Sequence, residues 1–262
     1  DMNAIISMPE QSAPRVVVGQ GPAPAAASIE HFAAEGLTEV PGAGALAAAV
    51  PGSVMAWFRL LEDHGTMELA DVLSYARHYA RTGHAIGATA ARTIDRMSAH
   101  FSEHWHGSAE LWMPEGTAPR AGHMITYPAW ADVLDRLVDA GSSESTREER
   151  IQAARQEWSA GFVAHAIERF VATPHRHSSG TDHRGVITAS DLAAFDASYE
   201  DGAVSNFRGV DVVKTGPWAQ GPVLLQCLAI LDGLPDERID PDTAEGIHTI
   251  AEVLKLALAD RD

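Results

Sequence analysis

Apolar residues recur with the spacing of an α-helix through most of the middle of this chain. Residues 53–63 are the clearest case, because the positions i, i+3, i+4 and i+7 are all apolar: Val54, Trp57, Phe58 and Leu61. Many segments with this pattern end at glycine or are followed by proline, residues that interrupt helices. Further helices are predicted over residues 24–36, 69–83, 88–103, 129–140, 146 to about 170, 188–195, 223–231 and 244–259.

Two of these helices have a recognisable start. Thr146 precedes Glu149 by three residues, the spacing of a capping box, in which each side chain satisfies a free backbone N–H. Thr188 and Asp191 repeat the pattern with a shorter acidic side chain. Both threonines are therefore predicted to cap helix N-termini.

Strand-like runs lie near both ends of the chain. Four strands are predicted, over residues 3–8, 16–19, 199–206 and 210–215. The last two are expected to pair antiparallel around a turn at residues 207–209. Residues 105–127 contain several prolines and glycines and are predicted to be irregular, and the polar residues 173–184 are predicted to form an exposed loop. The sequence therefore predicts a chain of many helices with a few strands.

The balance of charge excludes some classes of partner. Acidic residues outnumber basic residues by 36 to 19, which gives a formal net charge of −17. Sequence-independent binding to nucleic acid or to an anionic membrane needs a basic face, so we expect neither partner. The single cysteine, Cys227, excludes a disulfide framework and lies in an apolar run, where burial is expected. No stretch is long and apolar enough to predict a transmembrane helix.

Both ends of the chain fall inside regular patterns. The chain begins in a strand-like run and stops in a helical one, so we expect a fragment or one piece of a cleaved precursor. No signal peptide opens it. The compartment stays open, with the cytoplasm slightly favoured over the periplasm or secretion.

Histidines suggest two metal sites. His100, Glu103 and His104 match H-x-x-E-H, in which two histidines hold zinc and the glutamate acts as a base. The match shows no third ligand, so a chance occurrence is favoured over a zinc hydrolase. Three more histidines in the predicted loop could form a surface clip, although solvated side chains are favoured there: His175, His177 and His183. We expect no structural or catalytic metal.

No other catalytic motif stands out. The chain has no G-x-S-x-G elbow and no P-loop. Gly19 and Gly21 begin a G-x-G-x-x-G pattern, but Pro22 and Pro24 break it. Two interpretations remain: the protein is not an enzyme, or its nucleophile lies outside these residues.

Seven blocks, in order along the chain, carry a resemblance to a known family. The blocks are GQGPAP at residues 19–24, VPGSV at 50–54, the helical segment 64–83, GVITASDLAAF at 185–195, FRG at 207–209, GPWAQGP at 216–222 and the segment 251–261. In this order and spacing the chain resembles the large subunit of the γ-glutamyltransferases (γ-glutamyltranspeptidases), which belong to the N-terminal-nucleophile hydrolase class. The resemblance covers residues 19–262.

The resemblance implies a fold and a mechanism. It implies an α+β fold, the four-layer αββα sandwich of that class, with residues 1–262 as the helix-rich large-subunit part of a single domain. A small subunit from the same precursor would complete the domain after self-cleavage. The N-terminal threonine of that subunit would be the nucleophile, with its own α-amine as general base. The reaction implied is acyl transfer from an amide, usually a γ-glutamyl amide, to water or an amine, so we expect no catalytic residue in this chain and no cofactor.

The resemblance also indicates substrate-binding residues, Gln20 and Gly21. The family's arginine that pairs with the α-carboxylate of a glutamyl donor falls at Gln20. Glutamine offers one neutral hydrogen bond in place of a bidentate ion pair, so weaker binding of glutathione-type donors is expected. Arg15 is a possible substitute cation. The alternatives are a biosynthetic acyl hydrolase with a non-glutamyl substrate, and a non-catalytic relative that serves as a binding or assembly subunit.

Overall fold

The structure is a computed structural model that describes residues 2–9 and 11–261. The chain divides into two compact units, residues 1–20 with 197–262, and residues 21–196. The strands are β1 (Met2–Ile6), β2 (Arg15–Gly19), β3 (His84–Ala85), β4 (Met124–Ile125), β5 (His175–Arg176), β6 (Asp182–His183), β7 (Ser198–Asp201), β8 (Ala203–Phe207) and β9 (Val210–Lys214). The helices are α1 (Ile29–Ala34), α2 (Ser53–His64), α3 (Leu69–Val72), α4 (Ser74–Thr82), α5 (Ala88–Glu103), α6 (His106–Trp112), α7 (Pro128–Asp139), α8 (Arg147–Ser159), α9 (Phe162–Val171), α10 (Ala189–Ala194), α11 (Gly221–Asp232) and α12 (Ala244–Arg261).

The first unit is built on an antiparallel sheet of three strands in the order β1-β2-β7. β2 is central, and its Val16 and Val17 are fully buried. β8 and β9 form a hairpin whose two-residue turn places Arg208 at φ 52° and Gly209 at φ 82°. Positive φ at both central residues is typical of the tight hairpin turns that match strand twist. Cys227 is buried between α11 and α12, as predicted, and burial raises the pKa of its thiol.

The strand predicted over residues 199–206 is in fact two strands. β7 pairs with β2, whereas β8 pairs with β9. The chain changes partner at Gly202, where a Cβ atom would overlap the side chain of Val213. The predicted turn at residues 207–209 is confirmed.

The second unit is mainly helical. Neighbouring helices pack in the pairs α2–α8, α4–α7, α7–α8, α8–α9, α9–α10 and α5–α6. One buried cluster joins the segment before α2 to α9 and α10: Val50, Ala164, Val171, Ile187 and Leu192. A second surrounds α5: Ile86, Ala91, Ile94, Met113 and Ile125. In the described part of the chain no helix is long and apolar enough to cross a membrane.

Both predicted capping boxes are confirmed. The Thr146 hydroxyl accepts the Glu149 backbone N–H at 3.2 Å, and the Glu149 carboxylate accepts the Thr146 N–H at 2.9 Å. The reciprocal pair at Thr188 and Asp191 is also formed. The hydrogen bonds that the Glu149 carboxylate accepts, most of all the one from the Thr146 backbone N–H, hold the pKa of Glu149 below its usual value.

Several predicted segments are divided differently in the structure. The helix expected from Thr146 to about Phe170 is α8 and α9, because the backbone leaves the helical conformation at Ala160 and Gly161. Residues 69–83 likewise form two helices, and residues 24–36 are helical only in α1. The segment 105–127, predicted to be irregular, contains α6 and β4.

The loop predicted over residues 173–184 is a short hairpin, β5–β6, and it is not fully exposed. His177 is 1% exposed and His183 is 6% exposed. The prediction of solvated histidines is therefore wrong for these two side chains. Each has hydrogen-bond partners that reduce the cost of burying a polar ring.

Candidate functional site

The end of β2 opens onto a cavity of about 800 Å³ in the first unit. Gln20, the first residue after the strand, lies on its wall and is exposed. The other lining residues come from β1, from the end of β9 and from the loop that leads into α11: Asn3, Ala4, Ile5, Lys214, Thr215, Trp218, Ala219, Gln220, Gly221 and Leu224. The structure thus brings one of the two predicted substrate-binding residues to a cavity.

The polar groups of this cavity are mostly neutral amides. Asn3, Gln20 and Gln220 carry carboxamides, each with donors and an acceptor. Among the described residues that line the cavity, Lys214 is the only charged one, and none is an aspartate or glutamate. This is unusual for a chain with a net charge of −17. The wall is therefore positive where the chain as a whole is negative.

The loop between β9 and α11 is held by close packing. A Cβ atom on Gly221 would overlap the backbone carbonyl of Thr215, so the loop can close only with glycine there. Thr215 is 5% exposed, and the Trp218 indole N–H donates to the Glu200 carboxylate at 2.6 Å. These contacts fix Lys214 and Trp218 on the cavity wall.

Gly21 has a different environment. It lies in the second unit and is buried, and a Cβ atom there would fall inside the Val50 carbonyl group. The Val50 N–H donates to the Pro22 carbonyl at 3.0 Å, so two backbone segments lie side by side. The residue has no side chain to bind a ligand, and its packing explains why glycine is needed.

Arg15 does not replace the missing arginine. Its Nε lies 3.3 Å from the Asp201 carboxylate and donates to the Glu200 carbonyl at 3.4 Å. Arg15 and Gln20 lie at opposite ends of β2, about 17 Å apart along an extended chain. An arginine side chain does not span that distance, and Arg15 is already paired.

The H-x-x-E-H segment has no metal-site geometry in the structure. α5 ends at Glu103, so His104 is the capping residue of the helix and not part of its last turn. The rings of His100 and His104 meet edge to face, with centroids 5.2 Å apart. Among the described residues, no group of three or more His, Cys, Asp or Glu side chains is placed to hold a metal ion.

The histidines of the β5–β6 hairpin have structural partners. His177 Nε2 accepts the Leu46 backbone N–H at 2.8 Å, and its Nδ1 lies 2.7 Å from the His175 carbonyl, to which it donates. His183 lies between Thr181 at 2.6 Å and Glu35 at 2.7 Å. Both ring nitrogens of each histidine are occupied, so neither is free to bind a metal. Burial lowers the pKa of His177, which keeps the ring neutral.

Several further cavities lie in the second unit, and two of them differ in character. One, of about 810 Å³, is lined by His104, His106 and His175 together with apolar side chains. The other, of about 560 Å³, is a mainly apolar groove that includes Trp57 and Trp130. Neither contains Gln20 or Gly21, and sequence reasoning identified neither as a binding site.

Comparison with known proteins assigns the family. A family model described as gamma-glutamyltranspeptidase matches residues 1–262. The chain belongs to the γ-glutamyltranspeptidase family. The resemblance inferred from the seven sequence blocks is thereby confirmed.

Solved structures show the degree of similarity. The solved structure titled "Structure of LmbA2991T421A" superposes with a TM-score of 0.93 at 44% identity, over 99% of this chain and 44% of that chain. The crystal structure of Helicobacter pylori gamma-glutamyltranspeptidase gives a TM-score of 0.81 at 22% identity, over 99% of this chain and 69% of that chain. This likeness confirms the predicted fold, the helix-rich part of the N-terminal-nucleophile hydrolase sandwich.

The curated relatives are longer proteins. The glutathione hydrolase-like YwrD proenzyme of Bacillus subtilis (strain 168) is 27% identical over 213 residues, which cover 81% of this chain and 36% of that protein. Across three curated relatives the matched part is 28% to 36% of their length. The matched part of the chain therefore corresponds to about one third of each of these relatives.

Proposed function

We propose that this chain is the large-subunit part of an autoprocessed amide hydrolase or acyltransferase. The main support for this proposal is the family match along the whole chain, together with the cavity at the end of β2, whose wall includes Gln20. Residues 1–262 form part of one domain, which a small subunit from the same precursor completes. The name proenzyme, given to the Bacillus subtilis relative, supports processing of a precursor.

The proposed nucleophile is the N-terminal threonine of the small subunit. A hydroxyl is a weak nucleophile at neutral pH, so the threonine's α-amine takes its proton as the hydroxyl attacks the amide carbonyl. The tetrahedral intermediate expels the amine and leaves an acyl-enzyme, which water or an acceptor amine then resolves. Hydrogen-bond donors must stabilise the oxyanion of the intermediate.

The part of this chain in the reaction is to bind the acyl group. The cavity next to Gln20 is the proposed acyl-donor pocket, and its carboxamides would orient a polar acyl chain. Gly21 supports the site through its backbone, because its packing against Val50 fixes the chain that follows Gln20. No residue of this chain is assigned a covalent step.

The competing function is that of a relative that no longer catalyses and serves as a binding or assembly subunit. N-terminal sequencing of every polypeptide in the purified full-length protein separates the two. A new N-terminal threonine supports the enzyme. An N-terminus without a hydroxyl or thiol supports the non-catalytic subunit and contradicts the proposed function.

The purified full-length protein is expected to contain a second, smaller polypeptide in stoichiometric complex with this chain. The reason is that the large-subunit part on its own would leave strand edges and apolar core surface exposed to water. Denaturing electrophoresis with native mass measurement tests this expectation. A single intact polypeptide, with no smaller partner, would contradict it.

The donor preference gives a second test. γ-Glutamyl anilides are expected to be poor substrates, because Gln20 offers the donor's α-carboxylate a neutral hydrogen bond in place of a bidentate ion pair. Gln20→Arg is expected to raise kcat/KM for a γ-glutamyl anilide by about tenfold, mainly through a lower KM, since one charge-assisted hydrogen bond is gained.

The matched control is Gln11→Arg, which adds the same charge at an exposed position of the first unit that does not line the cavity. An equal gain in both variants would point to a general electrostatic effect. High activity of the natural protein on γ-glutamyl anilides, or a loss of activity in Gln20→Arg, would refute the assignment of Gln20 to the pocket.

A further inference from the structure

The chain has only two lysines, and their surroundings differ. Lys255 on α12 pairs with the Glu252 carboxylate at 2.8 Å. Lys214, at the end of β9, is partly buried on the wall of the cavity that contains Gln20. Within the described residues Lys214 has neither an ion pair nor a side-chain hydrogen bond. An ammonium group without a counter-ion on the wall of a cavity attracts an anion.

No other described residue of the cavity wall supplies that anion. Its polar side chains are the three carboxamides and the hydroxyl of Thr215. The nearby Glu200 does not line the cavity, and its carboxylate accepts the Trp218 indole N–H. A ligand carboxylate can therefore pair with Lys214, whereas a ligand ammonium group finds no carboxylate among the described residues of this wall.

We propose that Lys214 is a specificity-determining residue that selects acyl donors with a carboxylate and no α-ammonium group. The class is the monoamides of dicarboxylic acids, in which the free carboxylate contacts Lys214 and the carboxamides of Asn3, Gln20 and Gln220 contact the acyl chain. This inference rests on the proposed function, since it places the acyl group in this cavity. A γ-glutamyl donor is disfavoured because its ammonium group would lie near Lys214 without a partner.

The test uses the full-length processed protein and three anilides, assayed as hydrolysis with no acceptor present. Glutaryl p-nitroanilide carries the carboxylate alone, γ-glutamyl p-nitroanilide adds the ammonium group, and valeryl p-nitroanilide is neutral. The natural protein is expected to prefer the glutaryl donor over the γ-glutamyl donor by about tenfold or more in kcat/KM.

Lys214→Met and Lys214→Gln are expected to lower kcat/KM for the glutaryl donor by about tenfold to a hundredfold, mainly through KM. The valeryl donor should change by less than about threefold. Lys214→Arg should retain most of the preference, because it keeps the charge. Lys255→Met is the control for removal of a lysine outside the cavity and should leave both donors unaffected.

Equal losses for the glutaryl and valeryl donors, or no loss for either, would overturn the role of Lys214. Failure to process or to retain the small subunit in both charge-removing variants would also overturn it, because Lys214 would then serve subunit association. If the natural protein hydrolyses no donor, the proposed enzymatic function fails separately. Calorimetric titration with glutarate then tests the role of Lys214 in carboxylate binding. Glutarate must bind to the natural protein and must fail to bind to Lys214→Met; any other result contradicts that role.

Discussion

Gly21→Ala is expected to prevent the full-length protein from reaching its native fold. The new Cβ atom would fall inside the Val50 carbonyl, which is backbone and cannot rotate away. Relief requires the two backbone segments to separate, which would break the hydrogen bond from Val50 N–H to the Pro22 carbonyl. We expect a loss of at least about 3 kcal/mol in the free energy of unfolding, the upper range for overpacking a core. Thermal unfolding and soluble yield of the processed protein measure this effect.

The control is Gly107→Ala. Gly107 lies within α6, its φ is not positive, and a Cβ atom there has no neighbour within 4 Å. Alanine favours helix over glycine, so this variant should be neutral or more stable by roughly 0.5–1 kcal/mol. If Gly21→Ala folds with natural stability but loses donor binding, Gly21 acts on substrate directly and not through packing.

His177→Ala is expected to destabilise the protein by about 3–5 kcal/mol, since it leaves two backbone groups without their hydrogen-bond partner and leaves a cavity. The groups are the Leu46 N–H and the His175 carbonyl. Gly44, whose φ is +114°, lies against the His177 ring, so the segment before α2 and the β5–β6 hairpin lose their shared contact. Chemical or thermal unfolding of the variant checks the magnitude.

The same histidine should make stability depend on pH. Burial holds the pKa of His177 below its ordinary value of 6.5, so the unfolded chain takes up this proton at a higher pH than the folded chain does. Between these two values the unfolded state binds more protons, so stability is complete above pH 6.5 and declines as the pH falls below it. The Tm of the natural protein should therefore fall between pH values of about 7.5 and about 5.5. His177→Ala should show a smaller fall over the same interval.

Other groups near His177 are separable from this effect. The His183 ring lies 5.2 Å from the His177 ring, and it contacts the Glu35 carboxylate. That contact holds the pKa of Glu35 below 4.5, so Glu35 titrates outside the interval. His123→Ala, at an exposed position, is the control for removing a histidine and should change stability by less than about 0.5 kcal/mol. An unchanged pH dependence in His177→Ala would contradict the assignment.

The sequence predicted correctly several features that depend on interactions between residues close together along the chain. The capping boxes at Thr146 and Thr188 are formed as predicted, because their hydrogen bonds join residues three apart. The turn at residues 207–209 and the helix of residues 88–103 depend on backbone preference and periodicity over a few residues. The order of family blocks identified the γ-glutamyltranspeptidase family, since a fold's shared motifs are preserved along the chain.

Long-range contacts decided what local signals could not. The split of residues 199–206 at Gly202 depends on which strands lie on each side, and the burial of His177 depends on Leu46, which is 131 residues away along the chain. Lys214 and Gln20 carry no motif that links them, and they line one cavity only because β2 and the end of β9 belong to the same unit. A side chain's partner across the fold sets its burial and charge state, and the sequence around that side chain does not contain that partner.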